Sequence, residues 1–418
     1  MSIPERLRIA HLVYRGNPYS GGQGVYTHYL TRELAALGHE VTIFSGPPHP
    51  EIPEGVAFEP VRSLDLYAEP HPFRAPAPWE FKEALDFLEF GIMSTAGFPE
   101  PRTFSLRVER MLRTRRHHFD VIHDNQCLGS GVGRLIDRGW PIVGTIHHPI
   151  TVDRDLDLAH AKGLLRRLTL RRWYGFIGMQ VKVAKQLERV ITVSESSRDG
   201  LVREMGVSNH RISIVPVGVD TELFKPQPER PKVPGRIMAT TSSDVPMKGL
   251  VVLLDALAKV RVEHPDAHLV VIGRAKEGGV VADRIRQFGL TDAVRFVRGV
   301  ETSDIVDLYA ESQLAVVPSL YEGFSLPAIE AMASGVPLVA TTGGALPEVV
   351  GTDNVAALTV PPGDAEAMAA AMKRVLDDSS LAARLAAEGR KRVLVRFTWR
   401  AAAEATVEEF RRVLERRC

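Results

Sequence analysis

Residues 7–44 read LRIAHLVYRGNPYSGGQGVYTHYLTRELAALGHEVTIF, and this stretch decides the fold class. Residues 7–13 form a short apolar run suited to a buried strand, and Gly21, Gly22 and Gly24 mark a turn. Residues 25–37 carry the apolar spacing of an amphipathic helix that Gly38 ends, and residues 40–44 resume a strand. A β–glycine loop–α–β order opens a parallel, doubly wound sheet, whose ligands collect beyond the carboxyl ends of the strands. The glycines lack the G-x-G-x-x-G spacing of a dinucleotide fingerprint, but their amides lie where a phosphate or an acceptor group would approach.

The same rhythm continues outward. Strands are expected at 120–123, 142–145, 190–193 and 212–215. Between Pro60 and Pro101 seven prolines interrupt the periodicity, leaving one helical stretch near 80–90, so an insertion near 60–105 is expected on the first domain. Residues 225–234 hold four prolines in ten positions and suit a semi-rigid linker. A second series follows, with strands at 237–239, 269–272, 294–297, 314–317 and 337–340. From residue 365 the chain reads as helix, and its last stretch, 399–416, must bury Trp399, Val407, Phe410 and Leu414. The expected domains are therefore 1–224, a linker at 225–235, 236–396, and a terminal helix at 397–418. Two similar halves imply a cleft between them, the default place for a ligand.

Composition narrows the function. With 52 Lys and Arg against 51 Asp and Glu, no global field favours nucleic acid. Cys127 and Cys418 alone make neither a disulfide framework nor a zinc site, and a reducing cytoplasm is expected. The amino terminus has no signal-peptide pattern, and no run is long enough to span a bilayer.

Residues 318–337, PSLYEGFSLPAIEAMASGVP, carry the strongest chemical signal. Glu322 falls in the loop after the strand at 314–317. Gly323 lets the backbone turn into a helix begun near Ser325, with Pro327 acceptable in its first turn. The amides of Gly323, Phe324, Ser325 and Leu326, with the helix dipole, would bind a diphosphate, while Glu330 one turn on would accept hydrogen bonds from vicinal hydroxyls. For an isolated pair of glutamates the plainer assignment is a helix cap and a solvated charge. Lys248, before Gly249 at a strand-to-helix turn, could neutralise a departing diphosphate, with an exposed loop lysine as the plainer alternative. His147 ends the strand at 142–145, where its ring can donate to a sugar hydroxyl or to charge developing at a reaction centre; turn packing is the plainer alternative.

Together these segments resemble glycosyltransferase family 4, retaining enzymes with the two-Rossmann GT-B fold. The resemblance covers most of the chain: the Gly21-Gly22 loop, Thr145-Ile-His147, Val193-Ser194, the 215–224 link, Lys248-Gly249, the span from Glu322 to Glu330, and Gly343-Gly344-Ala-Leu-Pro-Glu348. It implies an α/β fold of two doubly wound domains facing a cleft, with the terminal helix returning to the first domain. It also implies a nucleoside-diphosphate sugar as co-substrate, with Glu330 on the ribose, Glu322 beside the sugar, and His147 at the catalytic site. The implied route is front-face attack, with the leaving phosphate assisting acceptor deprotonation. The family pairs its lysine with an arginine a few positions earlier. Residues 241–246, TSSDVP, hold none, so Arg274 or the Thr and Ser hydroxyls are expected to substitute.

No cofactor or metal is expected. Asp155-Leu-Asp157 has the form of a metal-binding D-x-D, but in an acidic run it more simply caps a helix. Residues 162–189 carry eight basic residues and one acid, interleaved with Trp173, Tyr174 and Phe176. Either a solvated helix face or a contact to anionic lipid or an anionic acceptor fits them. The acceptor itself, whether small molecule, glycan or lipid-linked, stays open, as do peripheral attachment to the inner membrane face, a nucleotide-sugar epimerase, and a non-catalytic nucleotide-sugar binder.

Overall fold

The computed structural model describes residues 3–17, 22–68, 71–241, 245–273, 278–352 and 354–417. The chain divides into two compact units. Unit 1 comprises residues 1–193, 197–215 and 402–418, and unit 2 comprises 194–196 and 216–401. The chain thus crosses at Val215–Pro216, and the proline-rich stretch 225–235 lies inside unit 2, where the Val233 amide donates to the Glu311 carbonyl.

Unit 1 is built on β1 (Arg8–Val13), β2 (Glu40–Ser45), β3 (Ala57–Pro60), β4 (Val121–Asn125), β5 (Ile142–Thr145), β6 (Arg189–Thr192) and β7 (Ile212–Ile214). They form one parallel sheet in the order β3-β2-β1-β4-β5-β6-β7. Its helices are α1 (Gln23–Ala36), α2 (Ala84–Ser94), α3 (Glu100–Leu112), α4 (Ser130–Asp137), α5 (Ile150–His160), α6 (Leu164–Trp173) and α7 (Ile177–Gln186). Every residue of β4, β5 and β6 is buried, as expected of parallel strands covered on both faces. The insertion carries α2 and leads into α3, and it has its own small apolar cluster around Leu64, Leu66 and Tyr67. Arg107 of α3 pins α2 through Asp86 (2.7 Å) and Glu89 (2.5 Å).

After α8 (Glu195–Gly200), unit 2 repeats the design with β8 (Arg236–Thr240), β9 (His268–Ile272), β10 (Val294–Val297), β11 (Leu314–Val317), β12 (Leu338–Thr341) and β13 (Leu358–Val360). The order is β10-β9-β8-β11-β12-β13, again all parallel. The helices are α9 (Leu250–Val260), α10 (Val280–Gln287), α11 (Thr302–Glu311), α12 (Leu326–Ala333), α13 (Leu346–Val350), α14 (Ala365–Asp377) and α15 (Ser379–Arg396), followed by α16 (Trp399–Glu415). Leu253, Leu254 and Leu257 of α9 are fully buried against this sheet. Truncating such a leucine to alanine removes about 2–5 kcal/mol.

In both sheets the strand order reverses beside the first strand, between β1 and β4 in unit 1 and between β8 and β11 in unit 2. That topological switch leaves a crevice at the strands' carboxyl ends, the ligand position of open α/β sheets. In α16, residues 402–418 belong to unit 1, with Phe410 and Val413 fully buried and Leu414 only half-buried. Arg189 is not a surface base: it lies on β6, 8% exposed, with Nε 2.6 Å from Glu409 Oε2 of α16. The basic run 162–189 is therefore not one continuous cationic face. Among the described residues no helix is long and apolar enough to cross a membrane.

Candidate functional site

In unit 2 the loops that follow β8 and β11 meet over the switch point. Gly249 adopts φ 66°, and a Cβ there would stand 1.9 Å from the Pro318 carbonyl oxygen, so only glycine admits so close an approach. The Leu320 amide then donates to the Met247 carbonyl at 2.7 Å. This seam brings Lys248 to Glu322: Nζ lies 2.8 Å from Oε1 and 3.0 Å from Oε2. Ser319 Oγ donates to the same carboxylate at 2.7 Å. Gly344 closes the loop from the other side, its φ of 61° placing Cα where a side chain would strike the Glu322 carbonyl. The Glu322 side chain is 11% exposed and that of Lys248 33%, so the pair is partly desolvated yet reachable.

The turn into α12 differs from the expectation at Gly323. The left-handed residue is Ser325, with φ 111°, a conformation that strains an L side chain. Its Oγ accepts from the Ala328 amide at 3.4 Å, so the side chain answers one of the helix's first amides instead of leaving them all open. Phe324 is buried against the Phe397 ring. One turn into α12, Glu330 Oε2 receives the Tyr309 hydroxyl at 3.4 Å, and that hydroxyl also lies 3.4 Å from Thr240 Oγ1 at the end of β8. Burial pushes the Glu330 carboxyl up to about 7, only partly offset by the Tyr309 hydrogen bond. Nearby, the Thr241 hydroxyl is buried without a hydrogen-bond partner among the described residues. Gly21, residues 242–244 and Arg274 lie outside the described residues.

In unit 1, His147 follows β5 and is held on every side. Its amide donates to Gln126 Oε1 (2.8 Å), its carbonyl accepts from Ser197 Oγ (2.9 Å), and Tyr26 packs edge-on to its ring at 4.6 Å. Its Nε2 lies 2.8 Å from Asn125 Oδ1. Asn125 Nδ2 points to the Gln23 carbonyl and to Thr27 Oγ1, which fixes the amide so that Oδ1 accepts and His147 Nε2 donates. The donor nitrogen is thus engaged internally. In the neutral ring Nδ1 is then the acceptor nitrogen, where the sequence led us to expect a donor.

The polarity continues inward: Thr27 Oγ1 lies 3.1 Å from His11 Nε2, His11 Nδ1 3.1 Å from His123 Nδ1, and His123 Nε2 2.7 Å from Thr145 Oγ1. Each neutral imidazole can donate once and accept once along this line. Burial drives His11 and His147 down to about 3, assisted by their histidine neighbours, and lowers His123 well below its ordinary value. Gly22, with φ 73°, precedes α1. The acidic run does not cap as expected. Only Asp153 lies in the first turn of α5, paired with His148 at 2.8 Å, while Asp157 sits far along the helix and accepts from the Tyr174 hydroxyl. Among the described residues no three His, Cys, Asp or Glu side chains are grouped to hold a metal ion.

The structure thus joins Lys248 to Glu322 in unit 2, places Glu330 on the adjoining helix against Tyr309, and sets His147 in unit 1. Sequence reasoning missed Ser319, Tyr309, Asn125 and Gln126. Asn125 and Gln126 stand at the carboxyl end of β4, and that position was the one signal that could have found them.

Comparison with known proteins follows the same division. A family model described as Glycosyltransferase Family 4 matches residues 20–223, and one described as Glycosyl transferases group 1 matches residues 222–392. An MMP alpha-(1->4)-mannosyltransferase of Mycolicibacterium hassiacum is 46% identical over 98% of this chain and 99% of its own. Among solved structures, sucrose-phosphate synthase from Thermosynechococcus elongatus superposes with a TM-score of 0.71 at 23% identity, over 98% of this chain and 100% of that one. Anabaena HepE, solved in complex with UDP and glucose, gives 0.70 at 19% identity over 96% of this chain and 99% of its own. These two likenesses establish the GT-B fold.

Proposed function

Since the chain belongs to glycosyltransferase family 4, we propose that it moves a mannosyl group from a nucleoside-diphosphate mannose to a hydroxyl of a glycan, with retention and without a metal ion. The mannosyl choice rests on the relative that is 46% identical over nearly the whole chain. The nucleotide-sugar reading rests above all on the Lys248–Glu322 pair over the unit 2 switch point, with Glu330 one turn into the adjoining helix.

In this reading Glu330 accepts hydrogen bonds from the ribose diol, and the head of α12, from Gly323 to Leu326, faces the diphosphate. Lys248 turns from Glu322 to the diphosphate as negative charge gathers there. The Thr241 hydroxyl, buried and without a hydrogen-bond partner among the described residues, is suited to a phosphate oxygen, the duty for which the sequence also offers Arg274. Gly21 and Gly22 offer amides on unit 1. Glu322, already engaged by Lys248 and Ser319, fits stabilisation of the sugar better than nucleophilic attack. The acceptor oxygen attacks the anomeric carbon on the face from which the diphosphate departs. The electron pair of the broken bond goes to the diphosphate oxygen, and the acceptor's proton passes to that oxygen. His147 Nδ1 accepts a hydroxyl of the sugar and holds it in place.

A second reading concerns attachment. Leu164, Leu165 and Leu168 of α6 are 74%, 79% and 51% exposed beside Arg167, Arg171 and Arg172. Such a face suits anionic lipid headgroups at the inner surface of a membrane.

The test is incubation of the protein with GDP-, UDP- or ADP-mannose and α-(1→4)-linked manno-oligosaccharides in EDTA. The expected result is release of one nucleoside diphosphate and an acceptor longer by one α-linked mannose. Transfer with no mannose donor, transfer only after Mg²⁺ or Mn²⁺ is added, or a β-linked product contradicts it.

A further inference from the structure

A pocket of about 440 Å³ opens on unit 1 between α2, α5, α6 and the insertion, away from the His147 network. Phe73, Met93 and Trp173 give it apolar walls, and Asp157, Arg166 and Thr169 bring polar groups to it. Its size falls within the roughly 300–1,000 Å³ typical of small-molecule sites.

Helix α6 divides its faces sharply. Arg166, Thr169, Leu170 and Trp173, at positions i, i+3, i+4 and i+7, line the pocket, while Leu164, Leu165 and Leu168 look the other way. The pocket is thus distinct from the face read above as lipid-facing.

Two further features mark it as built for a ligand. Phe73 is 61% exposed and has φ 65°, and Ala96, which also lines the pocket, has φ 59°. A bulky side chain in the left-handed region is an outlier, and such strain gathers at ligand clamps. Here it sets a mostly exposed phenyl ring beside Tyr67 at 5.4 Å and Trp173 at 6.2 Å, fixed by the Phe73 amide on the Leu66 carbonyl (2.8 Å) and by Arg74 on the Leu64 carbonyl (2.8 Å). Trp173 is likewise braced, by Phe98 at 5.2 Å and Tyr67 at 5.9 Å.

We infer that this pocket is a remote acceptor subsite, binding a sugar ring of a glycan chain several residues from the end being extended. A pyranose presents C–H groups on its faces and hydroxyls around its rim. The first match rigid aromatic rings, and the second match a carboxylate and a guanidinium. An acyl chain would cover the charged Arg166 and Asp157, the latter with the Tyr174 hydroxyl as its partner, without meeting either charge, which disfavours it. Asp157 lies seven residues into α5, about 10 Å along the axis from the helix start, which follows His147 by three residues. A chain of a few sugars covers that distance.

The inference rests on the glycan acceptor proposed above, so the test separates the two. Calorimetric titration of the intact protein with α-(1→4)-linked mannohexaose and, in parallel, maltoheptaose is compared for wild type, Trp173→Ala, Asp157→Asn and Arg166→Ser. The last two change exposed side chains and leave the aromatic cluster intact. Binding of at least one glycan, weakened tenfold or more in all three variants while affinity for nucleoside diphosphate is retained, supports the subsite. If only maltoheptaose behaves so, the subsite stands and the mannosyl reading falls. If mannohexaose is extended and bound equally by all four proteins, or if neither glycan binds, the subsite falls. Loss of binding to anionic vesicles in the variants without loss of glycan binding also overturns it.

Discussion

Lys248 and Glu322, 74 positions apart, form a two-pronged ion pair at 2.8 and 3.0 Å across the switch point of unit 2. A lysine so paired is preset for an anion but not yet committed to one. A diphosphate bound as proposed would have to draw Nζ from the carboxylate, so the two substitutions should act in opposite senses on binding. Lys248→Ala should lower kcat by about 10²–10³ with a smaller effect on donor KM. Glu322→Gln should release the ammonium and bind free nucleoside diphosphate at least as tightly as wild type while turnover falls. Equilibrium titration with the diphosphate, beside steady-state kinetics, checks both.

In the proposed donor site, the Glu330 carboxyl, raised to about 7 by burial, should make donor affinity depend on pH. The ionised form is the better acceptor for ribose hydroxyls, so affinity should fall as pH drops through about 7. The sign for stability is the reverse. Without donor, the folded state binds the proton more tightly than the unfolded chain, so this group's contribution is full below pH about 4.5 and is lost as pH rises through about 7. Glu330→Gln should therefore flatten the pH dependence of donor binding and stabilise the donor-free protein near pH 8. Denaturant unfolding and donor titration at pH 6 and 8 measure the two effects.

His11 and His123 are buried and His147 is half-buried, and desolvation pushes His147 and His11 down to about 3 and His123 well below its ordinary value, so all three are neutral. Protonation of His147 should thus leave no limb in the kcat profile between pH 5 and 9. His147→Ala should scale the profile down without changing its shape. The same depressed values act on stability: the unfolded chain takes up protons below pH about 6.5 that the folded chain refuses. This contribution is present above that pH and is lost as pH falls toward about 3. Unfolding midpoints of wild type and His11→Asn across pH 4–7 should converge at the acid end.

On α6, the outward leucines and arginines predict sedimentation with anionic but not neutral vesicles. Each basic residue near such a surface contributes about 1 kcal/mol. The triple change of Arg167, Arg171 and Arg172 to Ser should release the protein, and salt should weaken wild-type binding as the Debye length shortens. Equal sedimentation of both proteins with anionic vesicles removes this contact.

Much of the fold was legible because parallel strands are short, apolar and punctuated. The strands at 142–145, 294–297 and 314–317 were expected at their observed bounds. The edge strands β3 and β13 escaped notice: Ala57–Pro60 is poorly buried and ends in proline, and Leu358–Val360 has only three residues. Lys248, Glu322, Glu330 and His147 lie near a strand end or a helix start, and it was the resemblance to the glycosyltransferase segments that singled them out from a loop lysine, a helix cap, a solvated charge and turn packing. Their partners could not be singled out. Tyr309 reaches Glu330 from α11, and Asn125 reaches His147 from the neighbouring strand, and both meetings follow from strand order, which periodicity does not encode. Arg189 misled because a basic residue in a basic run reads as surface, whereas its carboxylate partner lies 220 positions away on α16.

The claim that unit 2 holds a nucleoside-diphosphate sugar through the residues around its switch point meets its most direct test in one titration. GDP-, UDP- and ADP-mannose are titrated into wild type and Glu330→Ala, with folding of the variant verified by its unfolding transition. The account predicts that one donor binds wild type and that the variant loses about 1.5–3 kcal/mol of that affinity, as befits a charge-assisted contact to the ribose. A folded variant that binds the donor as wild type does would contradict it.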